Sequence, residues 1–262
     1  MGQYHTIINL TKKQGLDPYD MGHGVKLMEF GQSGFGACFG LGLLLANDWK
    51  GDRIAIVGDY GNKDDVPLKP EDEVLLKKYN NDSLYEIASK LPSAETRAKE
   101  LILTSGLVEL NPAPRYSSWE VDPIDDAFGN GVGNDVIVNY DTREFISPAK
   151  FGDSTDAIQF SAVGYSGGIT TALTVLLASA CKDGARGGGD IYSENKRVGS
   201  WAGHRIAIID VAELQDDFED ISSDIRALLE ESNEGVYRVT DNIIERETWE
   251  YSNKVWKNFA AY

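Results

Sequence analysis

The chain is poor in the residues that build the most recognisable sites. It has 2 cysteines and 3 histidines among 262 residues. Cysteines as far apart as Cys38 and Cys181 do not make a disulfide scaffold, so reduced, buried thiols in a cytoplasmic protein are expected. His5, His23 and His204 are too few for a histidine-rich zinc centre, and no Asp-x-Asp-x-Asp-Gly loop is present. No metal and no cofactor are expected. Basic residues number 25 against 42 acidic ones, a formal net charge of −17. That argues against nucleic-acid and anionic-membrane partners, because affinity for phosphate comes mainly from Lys and Arg. Long hydrophobic runs are also missing. The longest, Phe35 to Ala46 and Ile169 to Ala180, fall short of the ~20 residues that cross a bilayer. The N-terminal residues lack the basic and apolar regions of a signal peptide. Gly2 and Thr6 fit a myristoylation pattern, but Tyr4 to Ile8 reads better as a first strand.

Glycine is abundant, 27 of 262 residues, against a usual ~7%, which implies many turns and close backbone contacts. Internal similarity is the clearest signal. Asn9 to Phe30 aligns without gaps on Asn139 to Phe160, matching Asn9/Asn139, Lys13/Arg143, Gln14/Glu144, Leu16/Ile146, Pro18/Pro148, Gly22/Gly152 and Phe30/Phe160. Ser33-Gly34 meets Ser166-Gly167, and each pair precedes an apolar segment. Trp49-Lys50-Gly51-Asp52-Arg53-Ile54-Ala55-Ile56 then meets Trp201-Ala202-Gly203-His204-Arg205-Ile206-Ala207-Ile208. Three blocks in one order indicate tandem duplication. The second copy carries an insertion, Lys182 to Ser200, where the first closes with Asn47-Asp48.

Local patterns give a coarse structure. Tyr4 to Leu10 and Asp135 to Tyr140 read as equivalent strands, with shorter strands over Leu27 to Phe30 and Ala157 to Val163. Helices are expected to open at the Ser-Gly turns. Arg53 to Val57 and Arg205 to Ile209 are near-continuous apolar strands, the kind buried on both faces. Pro70 suits a first helical position before Glu71 to Tyr79, Ser83 with Glu86 forms a capping box, and Ala94 to Thr104 and Ser222 to Glu231 are helical. Val236 to Val239 and Ile243 to Arg246 read as late strands. The expected fold is α/β or α+β, with two tandem, divergent copies of one layered unit related by a pseudo-twofold. Residues 1–110 form the first copy with a helical extension, 111–134 a linker rich in Pro, Gly and Asp, and 135–262 the second copy.

These blocks also carry a family resemblance. Met1-Gly2-Gln3-Tyr4, Asn9-Leu10-x-Lys12-Lys13, Gly24-x-Lys26-Leu27-Met28-Glu29-Phe30, Trp49-x-Gly51-Asp52-Arg53-Ile54 and Gly58-Asp59-Tyr60 make the chain similar to a family associated with actinobacteria and their phages. The second copy resembles it in Ser166-Gly167-Gly168, Gly187-Gly188-Gly189-Asp190 and Gly199-Ser200-Trp201-Ala202-Gly203. The resemblance implies membership and a phage connection; it carries no activity. The second copy departs from the pattern, with His204 in place of Asp52 and Asp210-Val211 in place of Gly58-Asp59.

Four features could carry chemistry. Gly164-Tyr165-Ser166-Gly167-Gly168 fits Gly-x-Ser-x-Gly between an expected strand and an expected helix, the context of a nucleophile elbow. Its serine needs a base, and His204 is the histidine that follows it. The plainer reading is a serine that caps a helix. Arg186-Gly187-Gly188-Gly189-Asp190 could cradle an anion with backbone N–H groups or be a surface loop. Asp59-Tyr60 follows a buried strand, where layered folds place functional groups; turn capping is the plainer reading. Arg53 and Arg205 open equivalent strands beside Trp49 and Trp201, where stacking or pairing with a carboxylate would hold the unit together.

No catalytic set is complete, so the chain reads as a non-catalytic binding or assembly protein, phage-encoded in a structural, accessory or counter-defence role. A protein partner or self-assembly is expected, in the cytoplasm or on a virion. The alternatives are a hydrolase using Ser166 or an acidic centre near Asp59, and a protein that sequesters a small molecule.

Overall fold

The computed structural model describes residues 3–21, 25–27, 37–61, 63–80, 82–104, 108–111, 120–123, 135–147, 161–163, 169–179, 196–225 and 227–228. Its centre is a mixed, seven-stranded sheet that takes strands from both ends of the sequence. β1 (His5–Asn9) lies between β2 (Gln14–Leu16) and β3 (Asp52–Gly58). β6 (Asp135–Asn139) lies between β7 (Glu144–Ile146) and β10 (His204–Asp210). β3 and β10 pair antiparallel and join the two sets. β11 (Glu219–Asp220) adds to β7 in parallel. Every residue of β3 is buried, as expected for a central strand with a near-continuous apolar sequence. The chain is thus an α+β protein, and strands from residues 1–110 and 135–262 share one sheet.

Strand alternation sends side chains to two cores. Ile7, Ile54, Ile56, Ile137 and Ile206 face the larger core with Trp49 and Trp201. It is filled by α1 (Ala37–Ala46), α4 (Glu95–Thr104) and α5 (Ala172–Leu177). On the other face, Ile8, Ala55 and Val57 pack under α2 (Pro70–Lys78) and α3 (Leu84–Ala88). Pro70 opens α2, and Ser83 with Glu86 forms the capping box of α3. Across the seam that face has side-chain cover alone among the described residues: Tyr140, Phe145, Leu214 and Phe218 lie over Val136, Val138, Ala207 and Ile209.

Bonds on the two sides of the seam correspond. Lys13 and Arg143 both take φ 56°. The Trp49 indole donates to Gln14 at 2.9 Å, and the Trp201 indole donates to Glu144 at 2.8 Å. Gly51 N donates to Ile206 O at 2.9 Å, and Gly203 N to Ile54 O at 2.7 Å. Arg53 and Arg205 stand opposite each other in the β3–β10 register. One correspondence was not legible in the alignment. Gly15 of β2 accepts from Ala94 N at 2.8 Å, and Phe145 of β7 accepts from Ile221 N at 3.0 Å. Each contact leads into a helix, α4 or helical residues 222–225 and 227–228, that buries Ala94, Ala98 and Leu101 or Ile221, Ile225 and Leu228 in the larger core. These contacts also cover the outer edges of β2 and β7, which would otherwise present unpaired backbone groups.

Two local expectations are corrected. The apolar run from Ile169 splits: β9 (Ile169–Thr171) pairs antiparallel with β8 (Ser161–Val163), and α5 starts only at Ala172. The β-branched residues Ile169, Thr170 and Thr171 favour the pleated conformation over the helix. The expected linker contains β5 (Glu120–Pro123), paired with β4 (Val108–Asn111); four residues are too few to show a period. Of the strand expected over Leu27 to Phe30, Leu27 alone is described, and just before it Val25 O accepts from His5 N at 2.7 Å. Met28 to Phe30, and the late strands expected at Val236 to Val239 and Ile243 to Arg246, lie outside the described residues, as does Cys181. No helix among the described residues is long and apolar enough to cross a membrane.

Candidate functional site

The end of the sheet where β1 begins and β3 finishes brings chemistry-bearing residues together. His5 lies opposite Gly58 in the β1–β3 register. One residue further on, Tyr4 and Asp59 are tied twice. Asp59 N donates to Tyr4 O at 2.9 Å, and Tyr4 N donates to Asp59 Oδ1 at 3.0 Å. A turn follows, closed by Gly61 N donating to Gly58 O at 2.9 Å, and Tyr60 emerges with 40% of its surface exposed. Asp59 is therefore both a clamp on the first strand and the base from which Tyr60 is presented.

On the larger-core side, Gln3 and His5 share the parity of Ile7 and are completely buried. Burial lowers the His5 pKa to about 4, so its ring is neutral at physiological pH. Among the described residues, neither polar atom of the Gln3 amide has a hydrogen-bond partner. Nearby, the Ser179 hydroxyl donates to Ile56 O at 3.1 Å, where the chain after α5 bridges to β3. On the opposite side, Tyr4 is 47% exposed and Tyr85 rises from α3, which packs on β1. Tyr85 titrates above the ordinary phenol range, first because it is partly buried, then because the charges of Asp17, Asp59 and Tyr4 oppose its ionisation.

His204 sits elsewhere, at the start of β10 beside the seam. Asn139 Oδ1 accepts from Asp141 N at 2.9 Å and Thr142 N at 3.2 Å. The amide nitrogen of Asn139 therefore donates, and His204 Nδ1, 3.0 Å away, accepts. A neutral ring held this way carries its proton on Nε2. A triad base has the opposite arrangement, with Nδ1–H held by an acid and Nε2 accepting the serine proton. On the other side of the seam Asn9 donates to Asp52 at 2.9 Å in the same fashion, so His204 and Asp52 take corresponding places on β10 and β3.

Ser166 lies outside the described residues. Arg186, Gly187, Gly188, Gly189 and Asp190 also lie outside them. Arg53 is committed to structure. Its guanidinium meets Asp72 at 2.7 Å, Gly203 O at 2.9 Å and Pro67 O at 2.8 Å. Arg205 pairs with Asp141 at 2.7 Å; the expected carboxylate pairing is the one used in both strands. Among the described residues no group of three or more His, Cys, Asp or Glu could hold a metal ion.

Sequence reading selected Asp59 and Tyr60 and missed Gln3, Tyr4, His5 and Tyr85. A signal for two of them existed: extending the strand parity back from Ile7 puts two polar residues on an inward face. No family model, curated protein or solved structure matches the chain.

Proposed function

We propose that the chain is a non-catalytic binding or assembly protein, built from two copies of one unit about a pseudo-twofold at the β3–β10 seam, and that it binds through the Asp59–Tyr60 end of the first copy. The corresponding bonds at Trp49 and Trp201, at Gly51 and Gly203, and at Gly15 and Phe145 support the duplicated unit. One observation carries the choice of site, the divergence of the two copies at the end of an otherwise shared strand. In the first, Asp59 clamps Tyr4 and presents Tyr60. In the second, Asp210 caps the short turn Val211–Glu213 by accepting from Ala212 N at 2.8 Å, and no aromatic is offered. A framework kept in both copies with an aromatic tip in one fits a surface specialised for binding. The resemblance noted in the sequence is compatible with a phage structural, accessory or counter-defence role, in the cytoplasm or on a virion.

Native mass spectrometry of the full chain, followed by denaturation of the same sample, tests this reading. A native species heavier than the chain, resolving to the bare chain on denaturing and weakened by Tyr60→Ser, is expected. A bare monomer at every concentration would overturn it. So would labelling of Ser166 by a fluorophosphonate probe with turnover lost in Ser166→Ala.

A further inference from the structure

We propose that Tyr4, Tyr60 and Tyr85, with Asp17 and Asp59, form a docking surface for a segment of a partner protein rich in lysine and arginine. The proposal rests on the binding reading above and names the class of partner.

Three features of the surface lead to it. The first is aromatic area on a rigid base. Tyr4 and Tyr60 are 47% and 40% exposed, and the two bonds between Tyr4 and Asp59 lock the strand ends that carry them. Tyrosine rings give large contact area for little conformational entropy, since each has two side-chain torsions. The second is charge. Tyr4 precedes β1 while Asp17 and Asp59 follow its antiparallel neighbours β2 and β3, which puts all three at one end of the sheet, and α3, which carries Tyr85, packs on those three strands. Asp17 is oriented by accepting from Tyr19 N at 2.9 Å. Ring faces attract cations, and guanidinium and ammonium groups pair with carboxylates. A phosphate-bearing partner would meet repulsion instead. The third is the long-range field. A chain of net charge −17 steers basic segments toward itself and raises their encounter rate.

The second copy lacks this combination. Where Asp59 and Tyr60 follow β3, Val211 and Ala212 follow β10, so the surface is single.

The probe is a fluorescein-labelled peptide of four Lys-Arg-Gly repeats, titrated with the full chain and read by anisotropy at about 150 mM salt, where exposed charges beyond the Debye length are screened. The double variant Tyr4→Ser, Tyr60→Ser keeps the net charge, and its circular dichroism and melting midpoint report whether it folds. It is expected to weaken binding about tenfold or more. The control Glu213→Gln, Asp216→Asn removes two exposed carboxylates from the other half and is expected to stay within about twofold. Equal loss in both variants would mean binding by diffuse charge and would overturn the proposal, as would undiminished binding by the tyrosine variant. If wild type ignores the peptide while native mass spectrometry shows a complex or multimer lost in Tyr60→Ser, the basic-partner class is overturned and the binding reading stands. If neither method shows any complex, both fall.

Discussion

Arg53 and Asp72 form an ion pair whose side chains are 6% and 3% exposed. Such a pair is a poor source of net stability, because desolvating two charges consumes most of the attraction, but breaking it strands a charge. Asp72 also accepts from Lys69 N at 2.7 Å, so it ties α2 to β3. Asp72→Ala should cost about 3–5 kcal/mol in urea unfolding. The double change Arg53→Met, Asp72→Leu should cost clearly less than the two single changes added together; simple additivity would contradict the stranded-charge account. His5 makes a prediction of opposite chemistry. Its folded pKa is about 4 against an unfolded value of about 6.5. Between those values the unfolded chain binds a proton that the folded chain refuses, so stability falls as pH drops through that window and is indifferent above it. The whole window is worth about 3 kcal/mol. The urea midpoint of the wild type should decline more steeply than that of His5→Asn between about pH 7 and 4.5; parallel curves would show that His5 is not the group responsible.

At the scale of elements, the two tryptophan anchors differ in one useful respect. Trp49 is held by a neutral amide, Gln14, and Trp201 by a carboxylate, Glu144. Burial would raise the Glu144 pKa, but its bonds from Trp201, Thr142 and Arg197 outweigh burial and hold it low. Stability from Glu144 is therefore present above its unfolded pKa and lost as pH falls through the folded value. Glu144→Gln should keep the indole bond, cost about 1 kcal/mol near neutral pH, and flatten the acid limb of the stability curve. An unchanged acid limb would count against this assignment. The glycines beside the anchors are a second pair. Gly51 and Gly203 both have positive φ, but a Cβ at Gly203 would meet Val66 Cγ1 at 2.6 Å, whereas at Gly51 the nearest atom is 3.8 Å away. Both alanine variants should lose about 1 kcal/mol to backbone strain, and Gly203→Ala should lose more in the same melting experiment.

These elements also show what a sequence can reveal. β3 and β10 were legible because each carries a continuous apolar stretch, Ile54 to Val57 and Ile206 to Ile209, although β10 is less buried, with Arg205 exposed and Ile208 half-buried, and α2 and α3 because Pro70, Ser83 and Glu86 act on their own helix ends. β8 was expected as a strand within Ala157 to Val163, but β9 was not, because an apolar run bounded by turns has no period that separates strand from helix. The correspondence between residues 94–104 and residues 221–225 and 227–228 was hidden for another reason. It lies in backbone bonds to Gly15 and Phe145, while the buried side chains differ, Ala94 and Ala98 on one side and Ile221 and Ile225 on the other. In the site, Asp59 and Tyr60 stood out at a strand end, but Tyr85 reaches them only through the packing of α3 on β1, a long-range contact that local pattern does not encode.

At the scale of the molecule, both sets of strands depend on one core. Ile7, Ile54 and Leu16 from one side and Ile137, Ile146 and Ile206 from the other belong to the same buried cluster, together with α1, α4 and α5. The β3–β10 seam adds backbone bonds between the sets, including those from Gly51 N and Gly203 N. Neither side can lose its packing without exposing apolar surface on the other, and exposing buried apolar surface costs about 25 cal/mol per Å². The two sides should therefore unfold as one cooperative unit, even though 42% of the chain is hydrophobic and each side has strands and helices of its own. Hydrogen exchange read by mass spectrometry separates the alternatives. In the wild type, amides of β1 and β6 should share one opening free energy, the global one. Asp72→Ala acts on the first side, at α2, yet it should lower protection of β6 and β10 by the same amount as that of β1. Loss of protection confined to β1 and β3 would mean that the seam joins two separately stable bodies.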